Sequence, residues 1–263
     1  MEIVKIGILS IVQGLTELLP ISSSGHLILL GRVMDIDTSS LLLSVFHLGT
    51  TLAIIIFFRE KLFKNFFTKE KLNFYLKILV SSIPAGIAGL LFEDVIEEKL
   101  REPWIIAVSL ISLGIVMIFL ERNEKKKHIP ETKTVTWKQS IIMGICQTFA
   151  LIPGTSRSGV TTIGGMLTGM DKYSALEYSF ILGIPVLLGS SVYEITKEIS
   201  AIQEPITTTI LSASLVKVLT VAFIPFLVGY LALVVLKKLK RENWLTIFGI
   251  YRIVLGIVIL ILL

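Results

Sequence analysis

Two stretches of this chain are apolar enough to enter a membrane, yet each is interrupted by residues that hydrocarbon does not tolerate. The first, 2–31, contains QGLTELLPISSSGHLILL (13–30), with Glu17, Pro20, three serines, a glycine and His26 inside it. The second, 138–170, contains QTFALIPGTSRSG (147–159). An ionisable side chain at the centre of a membrane helix costs at least ~2.5–3.5 kcal/mol. Non-helical backbone at that depth survives only where protein or a water-filled cavity surrounds it. Both interruptions should therefore line a cavity.

The remainder is simpler. Uninterrupted apolar segments fall at 40–58, 73–92, 104–120, 174–195, 210–236 and 243–262, each near the ~20 residues a membrane crossing needs. With 53% hydrophobic and 17% charged residues over 263 positions, a soluble fold is excluded. The chain is expected to be an all-α, polytopic membrane protein forming one transmembrane domain over 1–263. A net charge of +5 reports membrane topology here and not nucleic-acid binding, because the basic residues flank spans. A single cysteine, Cys146, rules out an internal disulfide. The N-terminal apolar run has a lone Lys5 and no small-residue cleavage site, and is read as mature structure.

The two broken segments resemble each other, with small length adjustments around the proline, and each precedes three spans. The chain thus reads as a duplication, repeat one over about 1–120 and repeat two over about 138–263. If each broken segment is a re-entrant helix pair that returns to its own side, three crossings per repeat force opposite orientations, so the repeats are inverted. Loop charge agrees. One face then carries 16 Lys/Arg, including the KKLKRE turn after 236, and the other 5; single crossings would divide the same loops 13 to 8. By the positive-inside rule both termini lie outside the cytoplasm.

The interruptions hold complementary chemistry. Gln13 and Glu17 share a helix face just before Pro20, with Ser22, Ser23, Ser24 and His26 beyond it. In the second, Gly154, Thr155, Ser156, Arg157, Ser158 and Thr161 combine a fork-shaped cation, hydroxyls and a helix N-terminus, a good cradle for an oxyanion. Together these are parts for phosphoryl transfer: a nucleophile, a proton acceptor and a charge clamp. The serines also suit helix capping.

The pair QGLTELLPISSSGH and PGTSRSGVTT resembles the two signature motifs of the undecaprenyl-diphosphate phosphatase family, membrane enzymes also known as bacitracin-resistance proteins. The resemblance extends over the whole chain. It implies hydrolysis of a polyprenyl diphosphate to the monophosphate and inorganic phosphate at the outer side of the plasma membrane, recycling the lipid carrier for cell-wall or other surface glycans and conferring bacitracin resistance. It also implies catalytic roles for Glu17, Ser23, His26 and Arg157, with Gln13, Ser22, Ser24, Gly154, Thr155, Ser156, Ser158 and Thr161 around the substrate. A divalent cation, Mg²⁺ or Ca²⁺, bridging the diphosphate is expected on the same ground, with Glu17 as a candidate ligand, no dedicated metal cage in the sequence and no organic cofactor. Gln13 stands where many members have glutamate, which puts any two-carboxylate role in doubt.

Ser23 is expected as the nucleophile with Glu17 accepting its proton, His26 and direct attack by water being the rivals. A lipid-carrier flippase is the alternative function, since inverted repeats with broken helices also build transporters. The phosphatidic-acid-type phosphatases need a further histidine that the second motif lacks, and a mere scaffold leaves Glu17 and Arg157 unexplained. Lys217 and Arg252, inside apolar spans, are expected to pair with carboxylates such as Glu177 and Glu194, contact with substrate phosphate being the alternative. His47 is expected to pack or hydrogen-bond within its span, and Gly86, Gly89, Gly164, Gly165 and Gly169 to allow close helix packing. A homodimer is the candidate assembly.

Overall fold

The computed structural model describes residues 2–262 except 37, 128, 130, 133, 202–207 and 239–242, and leaves aside the side chains of 2, 125–127, 199, 201 and 208–220. Lys217 and most of the KKLKRE turn thus lie outside the described residues. The described chain is helical, without strands. In order it forms α1 (Glu2–Thr16), α2 (Ser23–Met34), α3 (Ser40–Phe57), α4 (Arg59–Phe63), α5 (Lys69–Leu91), α6 (Glu93–Glu98) and α7 (Pro103–Lys127). There follow α8 (Trp137–Thr148), α9 (Arg157–Leu167), α10 (Lys172–Ala201), α11 (Thr208–Lys238) and α12 (Trp244–Leu262).

Among the described residues six helices are long and apolar enough to cross a membrane: α3, α5, α7, α10, α11 and α12. Their positions match the six uninterrupted segments of the sequence. Each interrupted segment instead becomes two short helices. At 1.5 Å per residue the 12 residues of α2 and the 11 of α9 reach less than ~20 Å, well short of a ~30 Å hydrocarbon core. Two short helices followed by three long ones therefore occur twice along the chain.

The halves do not fold side by side. α12 runs along α7, α11 along α1 and α3, α10 along α3 and α5, and α8 along α5, so the principal interfaces each join one half to the other. Glycine makes several of these approaches possible. A Cβ on Gly114 of α7 would lie 2.7 Å from the Gly249 carbonyl of α12, and one on Gly249 the same distance from the Gly114 carbonyl. At Gly49 of α3 a Cβ would strike the Ala222 carbonyl of α11. Packing of small residues, and not hydrophobic burial, drives helix association in lipid.

The glycines singled out from sequence divide. Gly164 and Gly165 are pressed against Cys146 and Ala175 as expected. Gly89 meets Leu151 only at ordinary contact distance, and Gly86 faces open space. Gly169 also faces open space and serves its backbone instead, turning the chain between α9 and α10 at φ +88°.

One end of the bundle is pinned by a buried ionic cluster. Lys172 Nζ lies 2.8 Å from Glu121 and 3.5 Å from Glu124, and the second Glu121 oxygen accepts the Thr246 N–H at 2.7 Å. This ties α7, α10 and α12 together. The lipid-facing sides stay apolar, with Leu79, Ile83 and Ile87 of α5 and Val254, Ile257 and Ile261 of α12 exposed.

Candidate active site

Both breaks use one local frame. Ser22 precedes α2 with φ 72°, and its Oγ accepts the Gly25 N–H at 3.3 Å. Ser156 precedes α9 with φ 69°, and its Oγ accepts the Gly159 N–H at 3.2 Å. A left-handed conformation is costly for a residue with a side chain, and here the side chain offsets it by capping the helix. Aligned on these caps, Gln13 falls on Gln147, Glu17 on Leu151, Ser23 on Arg157, Gly25 on Gly159 and His26 on Val160 without any length adjustment. The proline is what shifts: Pro20 falls on Gly154, and Pro153 on Leu19. Superposing the prolines, as the sequence invites, is the reason adjustments had seemed necessary.

The two frames meet. Ser158 Oγ donates to the Leu19 carbonyl at 3.4 Å, and a Cβ on Gly25 would rest 3.5 Å from the Gly154 Cα. At the junction sits Glu17, 6% exposed. Its Oε2 accepts Ser23 Oγ at 2.6 Å and Gln13 Nε2 at 3.2 Å, and its Oε1 accepts Arg157 Nη2 at 3.0 Å. One carboxylate thus links the hydroxyl of the first break to the guanidinium of the second. A charge buried this deeply is tolerable only with such partners.

Arg157 is held from below by α10. Its Nη1 donates to the Ser179 carbonyl at 3.0 Å, and a Cβ on Gly183, one turn further, would collide with the guanidinium. Gly183 therefore makes the room the arginine occupies. Arg157 Nε is buried and has no partner in the protein. Thr161 acts from behind, its Oγ1 donating to the Arg157 carbonyl at 2.7 Å and meeting Ser179 Oγ at 2.5 Å.

Arg252 departs from expectation. It does not pair with Glu177, which meets Lys61 at 2.8 Å, nor with Glu194. Fully buried on α12, it donates Nη1 to the Pro20 carbonyl at 3.1 Å and Nη2 to those of Gly154, Thr155 and Ser109 at 2.7, 3.1 and 3.3 Å. Broken helices leave carbonyls unpaired, and one guanidinium collects them from both breaks. Gly154 and Thr155 thus hold the loop through their carbonyls.

His26 is engaged elsewhere. Its Nδ1 meets the Ser22 carbonyl at 2.6 Å and its Nε2 the Tyr251 hydroxyl at 2.7 Å. With a carbonyl on one side, Nδ1 donates, and in the neutral ring Nε2 accepts from Tyr251. The ring does not hydrogen-bond to Glu17, Ser23 or Arg157. Ser24 approaches Ser22 Oγ at 3.5 Å and Ser158 approaches Ser156 Oγ at 3.3 Å.

Sequence reasoning passed over several groups. His47 of α3, expected to pack or hydrogen-bond within its span, places Nε2 3.5 Å from Glu17 Oε2. An ionisable residue within an apolar span is by default a functional residue, and that rule identifies it. Tyr251, Ser179 and Gly183 carry no such signal, because a phenol at a helix surface, a backbone carbonyl and a missing Cβ act only through their neighbours in space.

The donor set does not form a resident site for a divalent cation. Glu17 is the one carboxylate, both its oxygens already accept from a cation, a hydroxyl and an amide, and Gln13 Oε1 is a buried acceptor left without a partner. No dedicated all-protein cage is built among the described residues, and Mg²⁺ commonly binds through one or two carboxylates with water and substrate phosphates completing its shell. The arrangement offers a polarised hydroxyl, a carboxylate to take its proton, a guanidinium and two helix N-termini.

Comparison with known proteins agrees with this chemistry. The family model described as bacitracin resistance protein BacA matches residues 6–258. Undecaprenyl-diphosphatase 1 of Clostridioides difficile (strain 630) is 38% identical over 99% of this chain and 96% of its own length. The undecaprenyl-diphosphatase of Methanococcus aeolicus is 36% identical, covering 99% of this chain and 98% of its own. That of Enterococcus faecalis is 33% identical, covering 99% and 97%.

Proposed function

The chain belongs to the bacitracin resistance protein BacA family, and from that membership we propose the following function and mechanism. The protein is a membrane phosphatase that hydrolyses undecaprenyl diphosphate to the monophosphate and inorganic phosphate. The observation that carries the mechanism is the Glu17 carboxylate shared between Ser23 Oγ at 2.6 Å and Arg157 Nη2 at 3.0 Å. Ser23 attacks the terminal phosphorus while Glu17 accepts its proton. The Arg157 guanidinium and the N-termini of α2 and α9 hold the diphosphate oxygens. Polyprenyl monophosphate leaves, and water then releases phosphate from Ser23. Both ring nitrogens of His26 are engaged, which favours Ser23 over His26 as the nucleophile. Gln13 orients Glu17 through its amide and takes no proton. A divalent cation bridging the diphosphate would take Glu17 as its protein carboxylate and would neutralise phosphate charge there; no step is routed through it.

The broken helices enter and leave as re-entrant pairs in inverted repeats. The excess of basic residues in the loops 59–72 and 121–138 supports placing the termini and the site on the outer side. A homodimer belongs to the same reading and is checked by mass in detergent. A flippase is not favoured, because lipid movement has no use for a serine held against a carboxylate.

The test is release of phosphate from a long-chain prenyl diphosphate by purified protein, with trapping of the intermediate by acid quench. An acid-stable label on Ser23 is the expected result. An acid-labile label would assign the nucleophile to His26, and turnover without label would assign it to water. Lipid movement across vesicles without phosphate release would overturn the phosphatase itself.

A further inference from the structure

One ionisable group of the site has no task in the mechanism above. His47 projects from α3 with Nε2 3.5 Å from Glu17 Oε2, the same oxygen that accepts the Ser23 hydroxyl. Its side chain is 21% exposed where that of Glu17 is 5% exposed, so it is the member of the pair with access to the outside.

Glu17 by itself is a poorly placed final acceptor. Protonating it removes the counter-charge of Arg157, whose side chain is 10% exposed, and an uncompensated buried cation is expensive. Nor can the other contacts relieve it. Gln13 is an amide, and His26 has its ring nitrogens on the Ser22 carbonyl and the Tyr251 hydroxyl. Imidazole is the side chain that takes up and returns a proton near neutrality. The 3.5 Å gap is ion-pair reach, and such contacts commonly tighten when substrate binds.

We infer that His47 is the terminal proton acceptor of the site, taking through Glu17 the proton that Ser23 gives up, so that Glu17 stays paired with Arg157. This rests on Ser23 acting as the nucleophile. As the Ser23 Oγ–P bond forms and the bridging P–O bond breaks, polyprenyl monophosphate departs as the anion. The hydroxyl proton passes to Glu17 Oε2 and on to His47 Nε2. When water cleaves the phosphoserine, His47 returns a proton through Glu17 to Ser23 Oγ, water's oxygen and one hydrogen leave with phosphate, and its other proton leaves to solvent. One proton is released per turnover. Among the described residues the charged groups bearing on His47 are Glu17 and, through it, Arg157; Lys217 of the adjoining α11 has a side chain outside the described residues.

The experiment compares parent, His47→Gln and His47→Ala in phosphate release from a long-chain prenyl diphosphate between pH 5 and 9. Removing a proton acceptor lowers rates by about 10²-fold or more. His47→Gln, which keeps a polar group but cannot be protonated, should lose about that factor in kcat at neutral pH with KM nearly unchanged. Imidazole added to His47→Ala should restore turnover, an effect a packing role does not produce, and this arm decides the matter if His47→Gln misfolds. Parent-like kcat in His47→Gln, or a loss indifferent to imidazole, overturns the assignment. A parent that forms no phosphoserine overturns the Ser23 reading instead, a separate outcome.

Discussion

The breaks at 20–25 and 153–159 are one backbone device used twice with different chemistry. Each has a serine in the left-handed region, capping a short helix through its own Oγ, with glycine three residues on. The first helical residue after the cap is Ser23 in one and Arg157 in the other. That position, at a helix N-terminus beside the opposite break, is where a group meets an anion. The frame occurs twice, and at one equivalent position the copies differ, serine in one and arginine in the other, which the proposed mechanism uses as nucleophile and clamp. Glu17 follows the same pattern. Its counterpart is Leu151, so only the first break has a carboxylate, and that carboxylate reaches across to the arginine of the second.

The largest way to break this division is at the attacking position. Ser23→Ala should lower kcat by about a thousandfold or more and abolish the acid-stable label; near-parent turnover would show that the two halves are not split into nucleophile and clamp. Next comes the clamp itself. Arg157→Lys keeps the charge but loses the fork and the contact with Ser179, and should cost about 100-fold in kcat, read by phosphate release.

Arg252→Gln tests whether the breaks hold each other in register. It leaves the Pro20, Gly154 and Thr155 carbonyls short of a donor, and unsatisfied buried groups cost about 1–3 kcal/mol each. Thermal unfolding in detergent should fall by the equivalent of about 2 kcal/mol, and both halves of the site should suffer together.

A smaller effect separates them. Asp171 precedes α10, the helix that floors only the clamping break. Burial pushes its carboxyl up, but the backbone and hydroxyl donors of Ser174 and Thr132 outweigh it and hold the group below the usual carboxylate range. A carboxyl depressed in the folded state adds stability above its unfolded pKa, and that stability is lost as pH falls through the folded value. Asp171→Asn should therefore cost about 1 kcal/mol at neutral pH and flatten the decline in stability on acidification, followed by unfolding between pH 3 and 7. The smallest effect is at the caps. Ser22→Gly and Ser156→Gly each relieve a left-handed φ and each lose a cap, so unfolding should shift by no more than about 0.5 kcal/mol and equally at both. A large difference between them would mean that the two frames are not equivalent.

Much of this was visible in the chain. The six spans stand out because ~20 apolar residues are what a bilayer demands, and the two interrupted segments because polar groups have no other place to go. Glu17, Ser23 and Arg157 were legible because each is chemically improbable where it stands. Arg252 was visible as an oddity but not in its role, since its partners are backbone carbonyls that every sequence contains. His26 was visible in its motif but not in its contact with Tyr251.

The sequence by itself determined the membrane class and the six spans, because those depend on hydrophobicity, which acts over a few residues, and it marked Glu17, Ser23 and Arg157 as candidates by their local chemistry. Which atoms meet was decided only by the tertiary structure. The Glu17 to Arg157 bridge, the approach of His47 and the four carbonyls gathered by Arg252 join positions scores of residues apart. They follow from how α3, α10 and α12 pack across the two halves, a geometry set by glycine contacts and buried ion pairs that no local pattern encodes.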